Sequence, residues 1–305
     1  MGDWGTANLH RICGWIAAEM GLRCKSGSRF ATWNGRGGAD ALEALIERRV
    51  DLSLFVPSSL AGGMFGKQGL AQHDLTSLRA IAVLPQRDAL VIAIDSKLGI
   101  NSIAALQERR PALTWAVGLD DGVNMVGLAT RLLLDAAGIP RALLESWGGA
   151  FLEGEAPWDV IPLATSFKAD AVIFEAIMTP YWKQLMAARP MTFFSLDDPL
   201  VRRLEGTGLT ATTVPPGRFA GQESPIQTVD FSDFLLLARA DLPEDVAYLL
   251  AWCLCETRET IESQYKHLRP EDSPLTYPLD PARMVKAPIA LHRGAELYYQ
   301  RAGLL

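Results

Sequence analysis

The chain of 305 residues is long for one compact core and comfortable for two, and its 49% hydrophobic content fits a well-buried globular protein rather than a disordered one. A net charge of −6 and a pI near 5.3, with no basic run or Arg/Lys stripe, argue against nucleic acid and anionic membrane surfaces as partners. No apolar run reaches the ~18 residues needed to span a bilayer, so direct membrane insertion is not expected and the partners should be small molecules or proteins.

The stretch from Asp3 to Trp15 reads as a strand end, a turn at Gly5-Thr6 and the opening of a helix. A helix N-terminus leaves N–H groups without partners and carries partial positive charge, so a turn delivering Thr6 and Asn8 suits an anion. Ile12 to Met20 is apolar on one face and Gly21 reads as the helix stop. Phe30 to Trp33 reads as extended. Asn34-Gly35-Arg36-Gly37-Gly38 then turns into a helix carrying Leu42, Leu45 and Ile46, and its glycines let a ligand approach the backbone. Asp51 to Val56 is a buried strand ending at Pro57-Ser58-Ser59, and hydroxyls just past a parallel strand's carboxyl end sit where α/β sheets bind ligands. Gly62 to Gly69 reads as a surface loop, since Gly66-Lys67 lacks the spacing of a phosphate loop.

Ala80 to Leu84 and Ala89 to Ile94 are apolar strands, and at the second the chain is expected to cross into another domain, whose first strand is Leu113 to Val117. Ser102 is a candidate cap for the intervening helix. Gly118 to Val126 opens a helix that carries Leu128, Leu132, Leu133 and Ala136 and stops at Gly138, with Asp120 and Asp121 expected as caps. Trp147 to Pro162, rich in Trp, Gly and Pro, reads as an irregular connection. Phe167 to Ala176 and Met191 to Phe194 contain strands. Phe234 to Ala238 leads into a helix for which Asp241 is the expected cap, Glu244 completing a capping box, and Leu249, Leu250, Cys253, Leu254 and Ile261 the buried stripe. A Pro-rich loop over residues 270–281 precedes a closing helix, Gly294 to Ala302. Cys253 and Cys255, two apart on a helix, face different ways, and all four cysteines read as small buried residues in a chain leaning toward a reducing compartment.

Gly5-Thr6, Gly14, Gly37-Gly38, Val50-Asp51-Leu52 and the ending Pro288-Ile289-Ala290-Leu291-His292-Arg293-Gly294-Ala295, with Tyr298-Tyr299 and Gly303-Leu304, resemble the TAXI family. These are the solute-binding proteins of one branch of TRAP transporters. The likeness is collinear over nearly the whole chain, and the ending is its most specific part. Together with the alternation of strands and helices, it implies an α/β, two-lobe type II periplasmic-binding-protein fold with a ligand cleft between the lobes. Residues 1–92 and 209–305 would form lobe 1 and residues 93–208 lobe 2, joined by hinge strands that let the lobes close. The resemblance also implies a TRAP-type membrane permease as partner. Gly38 stands where the family usually has a ligand-facing hydroxyl, and Asn124 with two aspartates replaces a Gly-Ser-Gly-Thr-Glu-like stretch. Glu175 ends a strand that usually offers a small or hydroxyl residue, and His10 stands where Tyr is common; His292, in the family ending, reads as structural. Family members are exported, whereas here Met1 is followed almost at once by the Gly5-Thr6 turn. The expected location is periplasmic by resemblance and cytoplasmic if Met1 is the true start.

The leading expectation is capture of a small organic anion, a carboxylate with an aromatic or bulky body. Thr6, Asn8, Gly37, Gly38, Ser58 and Asn124 would supply polar contacts, Trp4 and Trp33 apolar walls, and His10 and Glu175 further ligand contacts. The rival is a cytoplasmic enzyme on the same scaffold, a lyase or decarboxylase using His10 and Glu175 as base and acid, and a third reading is an intracellular ligand sensor. No zinc-ligand spacing, Ser nucleophile elbow or dinucleotide Gly fingerprint is found, so neither metal nor cofactor is expected.

Overall fold

The computed structural model describes residues 1–3, 8–65, 75–177 and 179–305. Trp4 and Thr6, with the Gly5-Thr6 turn, and the Gly66-Lys67 part of the expected loop lie outside the described residues. Contacts divide the chain into two units, Met1–Arg87 with Ser232–Leu305, and Asp88–Phe231.

Unit 1 begins with β1 (Gly2–Asp3), α1 (Asn8–Arg23), β2 (Asn34–Gly35), α2 (Gly38–Ile46), β3 (Leu52–Phe55), α3 (Ser58–Phe65) and β4 (Leu78–Leu84). The chain then crosses into unit 2, which holds β5 (Ala89–Asp95), α4 (Ile103–Arg109), β6 (Thr114–Gly118), α5 (Met125–Ala136), α6 (Arg141–Ser146), β7 (Ala150–Gly154), α7 (Pro157–Thr165), β8 (Ala171–Glu175), α8 (Thr179–Ala188), β9 (Met191–Phe193), α9 (Asp198–Glu205), β10 (Ala211–Val214) and β11 (Ile226–Asp230). It returns through β12 (Phe234–Arg239) to complete unit 1 with α10 (Glu244–Glu256), α11 (Arg258–Glu262), α12 (Pro281–Met284) and α13 (Arg293–Arg301).

In unit 1, β1 pairs in parallel with β2, and Met1 joins that pair to β3: its amino group donates to the Leu52 carbonyl (2.6 Å) and its carbonyl accepts from the Leu54 N–H (3.2 Å). The returning β12 lies antiparallel between β3 and β4, giving the order β2-β1-β3-β12-β4. Unit 2 repeats the plan. Its parallel strands run β7-β6-β8, and β5 lies antiparallel beside β8 with β9 and β11 on its far edge. Because β10 pairs with β11, and Val229 and Asp230 of β11 pair with Leu90 and Ala89, residues 211–230 belong to unit 2. The crossings therefore fall at 87/88 and 231/232, where the sequence suggested 92/93 and 208/209.

Several local expectations are corrected. Gly21 does not stop α1, which runs to Arg23. Leu9, Ile12, Trp15, Ile16 and Met20 anchor its buried face, and Arg23 pairs with Glu19 (2.7 Å) in the last turn, enough to carry a glycine worth roughly 1 kcal/mol of lost propensity. The first half of the expected 62–69 loop is the end of α3. The Trp147–Pro162 connection is mostly regular: β7 lies parallel to β6 at the edge of its sheet, and Pro157 opens α7 at a position that needs no N–H. Asn124, not Asp120 or Asp121, caps α5. Asp241 caps nothing: its carboxylate is held by Arg48 (2.5 Å) and Arg239 (3.2 Å), and α10 starts after Pro243 without a side-chain cap. Ser102 does cap α4, accepting from the Ala105 N–H at 3.1 Å.

The family-like ending proves architectural. His292 caps α13 by accepting from the Gly294 N–H (3.2 Å), and burial pushes its pKa down. A Cβ on Gly294 would lie 2.0 Å from the Glu244 carbonyl oxygen, so only glycine lets α13 meet α10 there. Tyr299, fully buried, donates to the Ile81 carbonyl (3.0 Å) on β4, and Tyr298 donates to Glu256 (2.6 Å) on α10. None of the four cysteines forms a disulfide. Cys253 and Cys255 are buried in this core, which pushes both thiols up to about 11.

Candidate functional site

In unit 1 the parallel strands β1, β2 and β3 lead at one end of the sheet into α1, α2 and α3, the arrangement that makes strand carboxyl ends into ligand sites. Gly2 is the close-approach point of β1 and α1, since a Cβ there would lie 2.9 Å from the backbone of His10. Gly37, at φ 77°, and Gly38, at φ 53°, turn β2 into α2, and no side chain caps that helix. Ser58 opens α3, its N–H donating to the Asp233 carbonyl (2.9 Å). Among the described residues, two buried polar atoms at these helix starts have no hydrogen-bond partner: Nδ1 of His10 in the first turn of α1, and Oγ of Ser59 in the first turn of α3. Such groups are uncommon and costly in a folded protein unless a ligand or water meets them. Trp33 sits just ahead of β2, half exposed, with its carbonyl accepting from the Gly2 N–H (3.0 Å).

Asn8 has both ends of its amide engaged. Its Nδ2 donates to the Pro274 carbonyl (3.1 Å) and its Oδ1 accepts from the Tyr265 hydroxyl (2.6 Å), tying the start of α1 to the segment after α11. Asn124 in unit 2 is engaged likewise. Its Oδ1 accepts from the N–H groups of Val126 (2.9 Å) and Gly127 (3.2 Å), and its Nδ2 donates to the Glu155 carbonyl (2.9 Å). Asp121 holds the approach through the N–H groups of Val123 and Asn124, and Asp120 pairs with Arg131 (2.8 Å). Glu175 ends β8 partly buried, its backbone carbonyl accepting from the Trp182 indole (2.7 Å). His10 belongs to unit 1 and Glu175 to unit 2.

No motif around Asp88 marks it in the sequence. It is buried at the start of β5, with Oδ1 accepting from the N–H groups of Ala89 (2.7 Å) and Ile177 (2.9 Å) and Oδ2 without a hydrogen-bond partner. Burial pushes its pKa up to about 8, against the opposing pull of those backbone N–H groups and of Arg218. Arg218 donates to the Ala176 carbonyl (3.2 Å) from a turn after β10. Ile177, which donates to Asp88, is 89 residues away from it in sequence, so only the folded chain reveals the site. Among the described residues no group of three or more His, Cys, Asp or Glu is placed to hold a metal, and no helix is long and apolar enough to cross a membrane.

The profile of the NMT1-like family matches residues 11–303. No curated protein matches the sequence. Among solved structures, PhnD1 from Prochlorococcus marinus in complex with methylphosphonate has a TM-score of 0.54 at 14% identity, covering 100% of this chain and 97% of that one. Rpa4515 from R. palustris with adipate has a TM-score of 0.51 at 15% identity, covering 99% and 93%. A structure described as a periplasmic transporter has a TM-score of 0.52 at 13% identity, covering 96% and 90%. At such identities the likeness is one of fold, and the fold is that of the two-lobe type II periplasmic-binding proteins.

Proposed function

The chain belongs to the NMT1-like family and has the type II periplasmic-binding-protein fold, and from that premise we propose that it is a solute-binding protein that captures a small organic anion. The observation that carries this reading is the open end of the unit 1 sheet. There α2 starts without a side-chain cap, and His10 Nδ1 and Ser59 Oγ are buried without partners on the flanking helix starts. A carboxylate or phosphonate supplies the acceptors that helix N-termini and a hydroxyl call for. Neighbours of the same fold solved with adipate and with methylphosphonate make both chemistries reasonable probes.

In this proposal Gly37, Gly38, Ser58 and His10 contact the anion and Trp33 offers its half-exposed ring to an apolar body, and Glu175 is proposed as a ligand contact of unit 2. Asn8 and Asn124, with their amides engaged, hold helix starts in place. Trp4 and Thr6 remain proposed contacts from the residues outside the described ones. The finer assignment, delivery of a carboxylate to a TRAP-type permease as in the TAXI branch, is supported by the collinear resemblance and its ending.

The test is a thermal-shift panel of adipate, glutarate, benzoate, phenylacetate, methylphosphonate and amino acids. A true ligand at a hundredfold excess over its Kd should stabilise the protein by about 2.7 kcal/mol. Trp33→Ala should weaken an aromatic acid selectively, because a ring contact adds roughly 0.5–1.5 kcal/mol beyond its area. No shift with any member of the panel would overturn the reading.

A further inference from the structure

We propose that Asp88 and Arg218 form an oxyanion subsite within unit 2, in which the protonated Asp88 carboxyl donates from Oδ2 to a carboxylate or phosphonate oxygen while Arg218 supplies positive charge. This inference rests on the solute-binding reading and gives it a pH dependence.

The geometry has three parts. First, Oδ1 of Asp88 is consumed by two backbone N–H groups, whereas Oδ2 is buried and unpartnered in a residue only 7% exposed. A carboxylate oxygen left bare in a buried place is costly, and a neutral acid there has a proton with nothing to receive it, so the neutral form is completed by a solute acceptor and the ionised form by a solute donor. Second, the location is the end of β8 reached at Ala176 and Ile177, the carboxyl end of the parallel strands β6 and β8.

Third, Arg218 stands on a braced turn. Gln222 Oε1 accepts from the N–H groups of Arg218 (3.0 Å) and Phe219 (3.3 Å), and its Nε2 donates to the carbonyls of Pro215 (3.1 Å) and Ser224 (2.6 Å). Phe219 is stacked on Phe193 at 4.1 Å between ring centroids and meets the edge of Trp182 at 5.2 Å. A cation held by that much structure beside a buried acid is placed for recognition.

The charged residues on the elements bracketing Asp88 are Arg87 before it, Glu175 at the end of β8, Asp230 on β11 and Arg218. Of these, Arg218 pulls the Asp88 carboxyl toward ionisation. Its pull toward ionisation is outweighed by burial, so the proton stays at pH 7 and leaves as pH rises through about 8. A solute with a cationic group would instead select the ionised form.

Two measurements test this. In carbon NMR of protein labelled at Asp carboxyls, with the signal assigned by its loss in Asp88→Asn, Asp88 is expected to be protonated at pH 7. An ionised Asp88 at that pH overturns the inference and leaves the solute-binding reading intact. Calorimetry then compares glutarate, benzoate and methylamine at pH 6.5 and pH 9. Acid binding to the wild type is expected to weaken about tenfold at pH 9, following the loss of the Asp88 proton. Asp88→Asn, which keeps a donor in place, should lose that dependence, and Arg218→Gln should bind about tenfold more weakly at both pH values. Acid binding with one pH dependence in wild type and Asp88→Asn, or methylamine binding that tightens at pH 9, overturns the inference alone. Failure of every acid of the panel to bind overturns the solute-binding reading and this inference with it.

Discussion

The two units share a strand order but finish the carboxyl ends of their parallel strands differently. Unit 2 closes the start of α5 from within. Asn124 takes the first free N–H groups of α5 and reaches across to the Glu155 carbonyl, Asp121 takes those of the approach, and Gly118 and Gly127 press strand and helix together. Unit 1 leaves the start of α2 uncapped and, among the described residues, a polar atom at each of the starts of α1 and α3 without a partner. The difference teaches that one scaffold can spend the same helix N-termini on its own stability or hold them open for a solute. In unit 2, Asp88 Oδ2 is the buried oxygen left open at that end.

Four substitutions probe this contrast, and the largest effect is expected at Gly127. A Cβ there would lie 2.1 Å from the Leu119 carbonyl oxygen, so Gly127→Ala should cost about 3 kcal/mol in urea unfolding, because backbone must move. Asn124→Ala removes the cap and leaves the Glu155 carbonyl without its donor, for about 2 kcal/mol by the same measurement.

Asp88→Asn should act through pH. The folded pKa of Asp88 lies above its unfolded value, so the folded state holds the extra proton. Its contribution is full below about pH 4 and is lost as pH rises toward 8. Across that window the wild type should lose stability relative to Asp88→Asn as pH rises, read as a falling difference in melting temperature between pH 4 and pH 8. The smallest change is expected in unit 1: Ser59→Ala removes a hydroxyl without a partner and should shift stability by less than about 0.5 kcal/mol. A cost as large as that of Asn124→Ala would erase the distinction between the units.

What the sequence disclosed follows the same physics. β5, β8 and β12 are buried over nearly their whole length and were legible as continuous apolar runs. β7 was not, because an edge strand with Ala150 and Glu153 exposed shows no such run, and its flanking Gly148-Gly149 and Pro157 read as breakers. The N-cap of α5 was misplaced because several polar residues precede that helix and only geometry tells which one reaches the free N–H groups. In the candidate site, the glycines at 37 and 38 and the serine at 58 announced their turns. Asp88 looked like one acid in a surface-like Gln86-Arg87-Asp88 run, since its burial is made by residues about ninety and a hundred and thirty positions away.

Unit 1 is written in two separated stretches, and β12, which fills the gap between β3 and β4, comes from the second. During synthesis β3 and β4 therefore emerge long before the strand that joins them, while every strand of unit 2 lies in one continuous stretch and can associate as soon as that stretch has left the ribosome. The cost of closing so long an intervening segment grows only logarithmically with its length, and a segment already folded brings its two ends back together with less to lose. Unit 2 thus stands as the natural first folding unit, with the β3–β4 edges as the surfaces most in need of protection until residue 239 has been made.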